Sequence, residues 1–118
     1  ESLIPGSEGI VELLYQRTPT YTGYTEEYPA VFLPFELPAD HELVAGAQRI
    51  LAEALQHSVE ARIWNFTTDG GHLMAAGVPT IGFAPGAEAD CHTVHDRVSI
   101  EMLVESMIGY MALALELG

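Results

Sequence analysis

His92 and His95 stand three residues apart in Cys91-His92-Thr93-Val94-His95-Asp96, with Asp90 and Asp96 flanking the run. Imidazole is the commonest protein ligand for metals. The bare H-x-x-H spacing is a weak metal signature, however, and taken alone it favours two surface histidines. A second concentration of polar chemistry lies at Thr67-Thr68-Asp69, just ahead of Gly70-Gly71. Two hydroxyls at the end of a strand-like run can offer hydrogen bonds to a ligand, while Asp69 has the type and place of a helix N-cap. Cys91 is not read as a nucleophile, because nothing near it would activate the thiol and acidic neighbours disfavour a thiolate. Ala84-Pro85-Gly86 has too few glycines and no lysine for a phosphate loop. His41, His57 and His72 default to structural or surface roles.

These residues must be positioned by the elements around them. Residues 10–16 are apolar and β-prone, which predicts a strand. Residues 18–38 contain Pro19, Pro29, Pro34 and Pro38, which forbid a helix and weigh against a central strand. That stretch reads as an extended crossing, packed down by Tyr21, Tyr24, Tyr28, Phe32 and Phe35. Asp40 is placed to cap a helix with Glu42 in its first turn, and Leu43, Val44, Ala47, Ile50, Leu51, Ala54 and Leu55 form one stripe along it. Val59, Ala61 and Ile63 alternate as a strand. Residues 69–76 predict a short helix ended by Gly77. Residues 78–84 form an apolar run of the length of a buried parallel strand. Ser99 is placed to cap a last helix whose core face would be Leu103, Val104, Met107, Ile108, Met111 and Leu115. From residue 40 on, the order of elements is that of a layered α/β unit. Loops at the carboxyl ends of strands in such sheets are where ligands bind.

Composition narrows the class. The chain has 118 residues, 48% of them apolar and 18% charged, which is globular rather than disordered. Seventeen acidic residues against four basic ones give a net charge of −13, which argues against nucleic acid and anionic membranes as partners. One cysteine excludes an intrachain disulfide framework and fits a reducing, cytoplasmic setting. No apolar run approaches the length of a membrane span. The chain opens without an initiator Met on a polar, glycine-containing stretch, as expected for a piece of something longer.

Several linked motifs then fall in one order. Thr68-Asp69-Gly70 is followed by Ala76-Gly77-Val78-Pro79-Thr80, by Gly82-Phe83-Ala84-Pro85-Gly86, and after five residues by His92-Thr93 and Val98. Over residues 40–117 this resembles the C-terminal part of the di-zinc metallopeptidase family of aminoacylase, acetylornithine deacetylase and succinyl-diaminopimelate desuccinylase. Tyr21-Thr22-Gly23-Tyr24 and Leu37-Pro38-Ala39-Asp40-His41 resemble the branch of hydrolases linked with selenium metabolism. Ala84 stands where the family usually has glycine, His95 where it has an acidic or neutral residue, and Arg97 where an aromatic is common.

The resemblance implies a fold and a chemistry. The fold would be part of a three-layer α/β/α catalytic domain, with residues 1–38 the end of an inserted lid or dimerisation domain plus the return crossing. Residues 39–118 would be the C-terminal half of the catalytic domain. His92 matches the last zinc ligand, Thr67 and Thr68 a segment that contacts the substrate, and Asp69 the acid that orders that segment. The cofactor would be two zinc ions, with cobalt or manganese as alternatives, sharing a hydroxide that attacks the amide of a small N-acyl amino acid or dipeptide. The remaining ligands and the general base match nothing in this chain, so the chain alone is expected to be inert. Its uncovered apolar faces are expected to drive self-association or pairing with the other half. The competing reading is a non-catalytic binding or structural fragment of a family-like protein.

Overall fold

The structure, a computed structural model, describes residues 9–117. The chain divides into two compact units, one up to Phe32 and one from Leu33 onward.

The first unit is a hairpin. Strand β1, Tyr15–Pro19, pairs antiparallel with β2, Thr25–Pro29, in a register that sets Tyr15 opposite Pro29 and Pro19 opposite Thr25. The crossing expected over residues 18–38 is thus corrected over 18–29, which hold the end of β1, the turn and the whole of β2, and the strand expected at 10–16 begins only at Tyr15. Proline explains the outcome, since Pro19 and Pro29 each close a strand at its last residue, where a lost N–H costs least. The turn between them closes through Gly23 N–H to the Thr20 carbonyl at 2.9 Å and Thr20 N–H to the Tyr24 carbonyl at 2.8 Å. Gly23 takes φ +83°, open to glycine without steric cost. Tyr21 at the tip is fully exposed, and Tyr24 and Tyr28 are exposed too, so these aromatics do not pack the ribbon down as expected.

The second unit is built on two helices. Helix α1 spans Glu42–Leu55. Its cap is His41 rather than Asp40: a turn from the Pro38 carbonyl to the His41 N–H (2.9 Å) delays the first helical residue, and His41 Nδ1 accepts from the Leu43 N–H at 3.1 Å. Val44, Ala47, Ile50 and Leu51 form the buried core face, as their spacing predicts. Helix α2 spans Gly70–Ala75, and helix α3 spans Ile100–Glu116. Behind α2 the chain turns through Gly77 at φ +83°, with Gly77 N–H on the Met74 carbonyl (2.9 Å) and Val78 N–H on the Leu73 carbonyl (3.0 Å), the paired bonds of a Schellman cap. At α3 the Ser99 hydroxyl accepts from Met102 N–H at 3.1 Å, as expected.

Helix α3 packs on α1 through its small residues. Ser106 and Gly109 are its buried positions, and a Cβ on Gly109 would stand 2.6 Å from the Phe83 ring and 2.9 Å from Leu51. The stripe expected to be its core face is exposed instead, with Leu103 54% and Met107 56% accessible. The helix is apolar on several sides, so periodicity could not choose the side that meets α1; the closeness of the crossing chose the residues without bulk. Residues 59–63 and 78–84 lie in no ladder, so the strands expected there are not realised within this chain. A run of strand-forming residues becomes a strand only beside a partner. They are held instead by side chains: Gln48 Nε2 donates to the Val59 carbonyl at 3.1 Å, and the Tyr110 hydroxyl donates to the Phe83 carbonyl. The described residues therefore form a mixed α/β chain with one two-stranded sheet and three α-helices.

Candidate functional site

The segment that carries Thr67, Thr68 and Asp69 leaves residues 59–63 and enters α2. Trp64 and Phe66 lie on one side of it and stack, with ring centroids 5.1 Å apart. Trp64 fits because Gly82 has no side chain; a Cβ there would run into the indole. Thr67 is exposed. Thr68 is half-buried, and its hydroxyl accepts from the Gly70 N–H at 3.2 Å. It thereby performs the capping expected of Asp69, whose side chain makes no capping bond; the Asp69 carbonyl takes the N–H groups of His72 (3.0 Å) and Leu73 (3.3 Å). Asp69 already has helical φ and ψ, so its carboxylate stands one position too far along to reach back to the first free N–H. Two glycines follow because the chain is crowded there. A Cβ on Gly70 would sit 2.6 Å from the Phe35 ring, and one on Gly71 would run into the Leu33 carbonyl.

His92 lies in a loop opened by the short 3₁₀ turn Glu88–Asp90. The loop is stitched by its own side chains. The Thr93 hydroxyl donates to the Asp90 carbonyl at 2.7 Å, the His95 N–H donates to the Thr93 hydroxyl at 3.1 Å, and the His92 N–H donates to Asp96 Oδ2 at 3.3 Å. His92 adopts φ +61°, a left-handed conformation that costs a residue with a side chain about 1–3 kcal/mol and that concentrates at functional sites. Its side chain is exposed, as is that of His95. Arg97 faces Asp90 across 3.8 Å but is 83% exposed, so the pair contributes little and the loop stays acidic. Cys91 Sγ donates to the Ala87 carbonyl at 3.6 Å.

Two contacts join the strand-end segment to this loop. The Phe66 ring stands edge-on to the His92 imidazole, centroids 5.8 Å apart and planes at 83°. Glu88 Oε1 accepts from the Asn65 N–H at 2.6 Å and from Asn65 Nδ2 at 3.0 Å. The segment that leads into Thr67 therefore touches the His92 loop through Asn65 and Phe66, two and one positions before Thr67. Sequence reasoning missed Asn65 and Glu88. Glu88 in Gly-Ala-Glu-Ala-Asp reads as one more solvated acid, and no local spacing links it to a residue 23 positions earlier.

The chemistry available here is that of an accessible imidazole beside carboxylates, next to two hydroxyls. A zinc site takes about four ligands. Among the described residues no three His, Cys, Asp or Glu side chains come together to hold a metal ion. His92 fits the part of one ligand, and this chain alone does not make a site. An open groove elsewhere, lined by His57, Arg62, Pro85 and Glu105 among others, contains none of the expected site residues.

Comparison with known proteins gives the chain its context. It is 30% identical over 84 residues to the N-formyl-4-amino-5-aminomethyl-2-methylpyrimidine deformylase of Halalkalibacterium halodurans, which covers 71% of this chain and 20% of that enzyme. It is 35% identical over 80 residues to the deformylase of the same name from Bacillus subtilis, covering 68% of this chain and 18% of the enzyme. The uncharacterized protein YgeY of Escherichia coli is 24% identical over 110 residues, or 92% of this chain and 27% of that protein. The chain thus spans about a fifth of the length of the deformylases it matches, and over that span it is similar to hydrolases. No family model matches it, and no solved structure does. No helix among the described residues is long and apolar enough to cross a membrane.

Proposed function

We propose that this chain is the C-terminal segment of a zinc-dependent amidohydrolase that cleaves the amide of a small N-acyl amino acid or dipeptide. It would belong with the aminoacylase, acetylornithine deacetylase and succinyl-diaminopimelate desuccinylase enzymes, on the branch of the selenium-linked hydrolases, and would complete their three-layer α/β/α catalytic domain. The observation that carries this reading is the junction of the Thr67–Asp69 segment with the His92 loop through Asn65 and Phe66. The printed names of the deformylases supply the reaction class, because removal of a formyl group from an amine is hydrolysis of an amide.

Each residue then has a task. His92 would present a ring nitrogen to one metal ion, placed by its contact with the Phe66 ring and by the Asp96 carboxylate on its main chain. When bound, the two zinc ions supply Lewis acidity toward the scissile carbonyl. Thr67, whose hydroxyl is free to turn outward, holds the acyl or carboxylate end of the substrate. Thr68 and Asp69 fix the backbone of that segment at the start of α2. The further ligands and the general base come from outside this chain. The exposed apolar side of α3, with the groove formed by Leu103, Val104, Met107, Tyr110 and Met111, is the surface for the other half of the domain or a second copy.

The test is a zinc analysis and an activity panel on the longest polypeptide that contains this chain, against N-formyl amines, N-acetyl and N-succinyl amino acids and dipeptides. Hydrolysis of an N-acyl substrate that is lost with chelator and restored by zinc supports the proposal. A folded protein that binds no zinc and cleaves none of the panel supports a binding or structural role instead.

A further inference from the structure

Glu88 accepts two hydrogen bonds on one carboxylate oxygen, from the main-chain N–H of Asn65 at 2.6 Å and from its side-chain Nδ2 at 3.0 Å. Neither partner lies in a strand ladder. The register of residues 59–66 against the His92 loop is therefore not set by sheet hydrogen bonds within this chain. A carboxylate receiving amide donors makes a stronger bond than a neutral acceptor does, and here it is the polar tie between the two segments.

Its position gives the tie leverage. Asn65 lies between Trp64 and Phe66, whose rings stack on each other, and the chain bends at Asn65 and Phe66. Holding Asn65 thus fixes where the Phe66 ring meets His92. At its other end the tie begins the turn Glu88–Asp90; the Asp90 carbonyl accepts from the Thr93 hydroxyl, the Thr93 carbonyl accepts from the Asp96 N–H, and Asp96 Oδ2 accepts from the His92 N–H. A shift at Glu88 would move the imidazole and the hydroxyl of Thr67 relative to each other.

We infer that Glu88 is a positioning residue, which sets the substrate-contacting segment ending in Thr67-Thr68-Asp69 against the loop that presents His92. The inference rests on the amidohydrolase reading above. Glu88 acts through Asn65, its partner in both hydrogen bonds.

The experiment compares Glu88→Ala and Glu88→Gln with the parent in two arms. Amide hydrogen exchange of Asn65 is followed in this chain, and kcat, KM, zinc content and Tm are measured in the zinc-loaded longer enzyme. In Glu88→Ala the Asn65 amide should exchange about tenfold faster or more, as expected of an N–H that loses its acceptor. Its kcat/KM should fall by about 10–100-fold with zinc content and Tm unchanged, the size of effect seen when an orienting partner is removed. Glu88→Gln keeps an acceptor oxygen and should recover most of both. Unchanged Asn65 exchange in Glu88→Ala overturns the tie. A lost tie with unchanged kcat/KM per zinc-loaded molecule overturns the positioning role, as does a loss that follows Tm alone. If the parent itself shows no zinc-dependent hydrolysis, the functional reading fails and takes the positioning role with it, while the exchange arm still reports on the tie separately.

Discussion

The ring of Phe66 stands edge-on to the imidazole of His92, 5.8 Å away between centroids. Phe66 directly precedes Thr67, so this contact, together with the Asn65–Glu88 bonds, ties the approach to the hydroxyl segment to the loop of histidines. An edge-on aromatic holds a neighbouring ring in orientation as well as excluding water from one of its sides. Phe66→Leu keeps apolar bulk and removes the ring. In NMR spectra of this chain the His92 ring protons should lose a ring-current shift while those of His95 stay in place; equal movement of both would place the two histidines in one environment.

Packing supplies a second prediction. Leu51 is 4% exposed on the α1 face, and its replacement by Ala should cost about 2–5 kcal/mol. Leu103→Ala should stay within about 0.5 kcal/mol in this chain, because Leu103 is half-exposed on α3. Urea midpoints measure both. A Leu103 effect as large as that of Leu51 would mean the apolar side of α3 is covered, as in a self-associated chain.

Gly109→Ala should also destabilise, by about 1–3 kcal/mol, since the new methyl meets the Phe83 ring and Leu51 where α3 crosses α1. Tyr110 donates to the Phe83 carbonyl and stacks edge-on with its ring at 5.2 Å. The substitution should therefore change Tyr110 fluorescence in step with stability.

Electrostatics at the start of α3 predicts a pH dependence. Hydrogen bonds from its own backbone N–H and from Ser99 hold the Glu101 carboxyl below its ordinary value of 4.5. A lowered folded-state value means the stabilisation is fully present above 4.5 and is lost as pH falls through the folded value. Glu101→Gln should therefore melt below the parent at neutral pH, and the two curves should converge in acid. Curves that separate further in acid would reverse the sign.

Much of this architecture is legible in the residues themselves. The α1 stripe, the Ser99 cap and the Gly77 stop depend on local chemistry, and each is where its residue type puts it. What the residues do not show depends on partners far along the chain. Residues 59–63 and 78–84 have the composition of strands but no strand beside them here. The side of α3 that meets α1 was set by Ser106 and Gly109, which a search for apolar stripes passes over. Within the candidate site, His92, Thr67, Thr68 and Asp69 stand out by type. The Asn65–Glu88 tie does not, because a hydrogen bond between polar residues 23 positions apart leaves no periodic trace.

The 118-residue chain on its own should bind zinc only weakly. A single imidazole provides a fraction of the ligands that make structural zinc affinities high. Isothermal titration checks this, and a submicromolar site would show that the chain completes a site by itself or by pairing with a second copy.

In the proposed hydrolysis His92 carries a ligand's role, with Thr67 at the substrate and His95 outside the site. This arrangement is tested most directly by turnover of the longer enzyme with His92→Ala, Thr67→Val and His95→Ala measured side by side on its best N-acyl substrate. Metal ligands act as a set, so His92→Ala should lower kcat by on the order of 10⁴-fold and reduce bound zinc. Thr67→Val should raise KM while kcat holds, as expected for a contact made equally in ground and transition states. His95→Ala should leave both constants within about twofold, the usual range for a solvent-facing side chain. Loss of turnover in His95→Ala with His92→Ala still active would contradict the account at its centre.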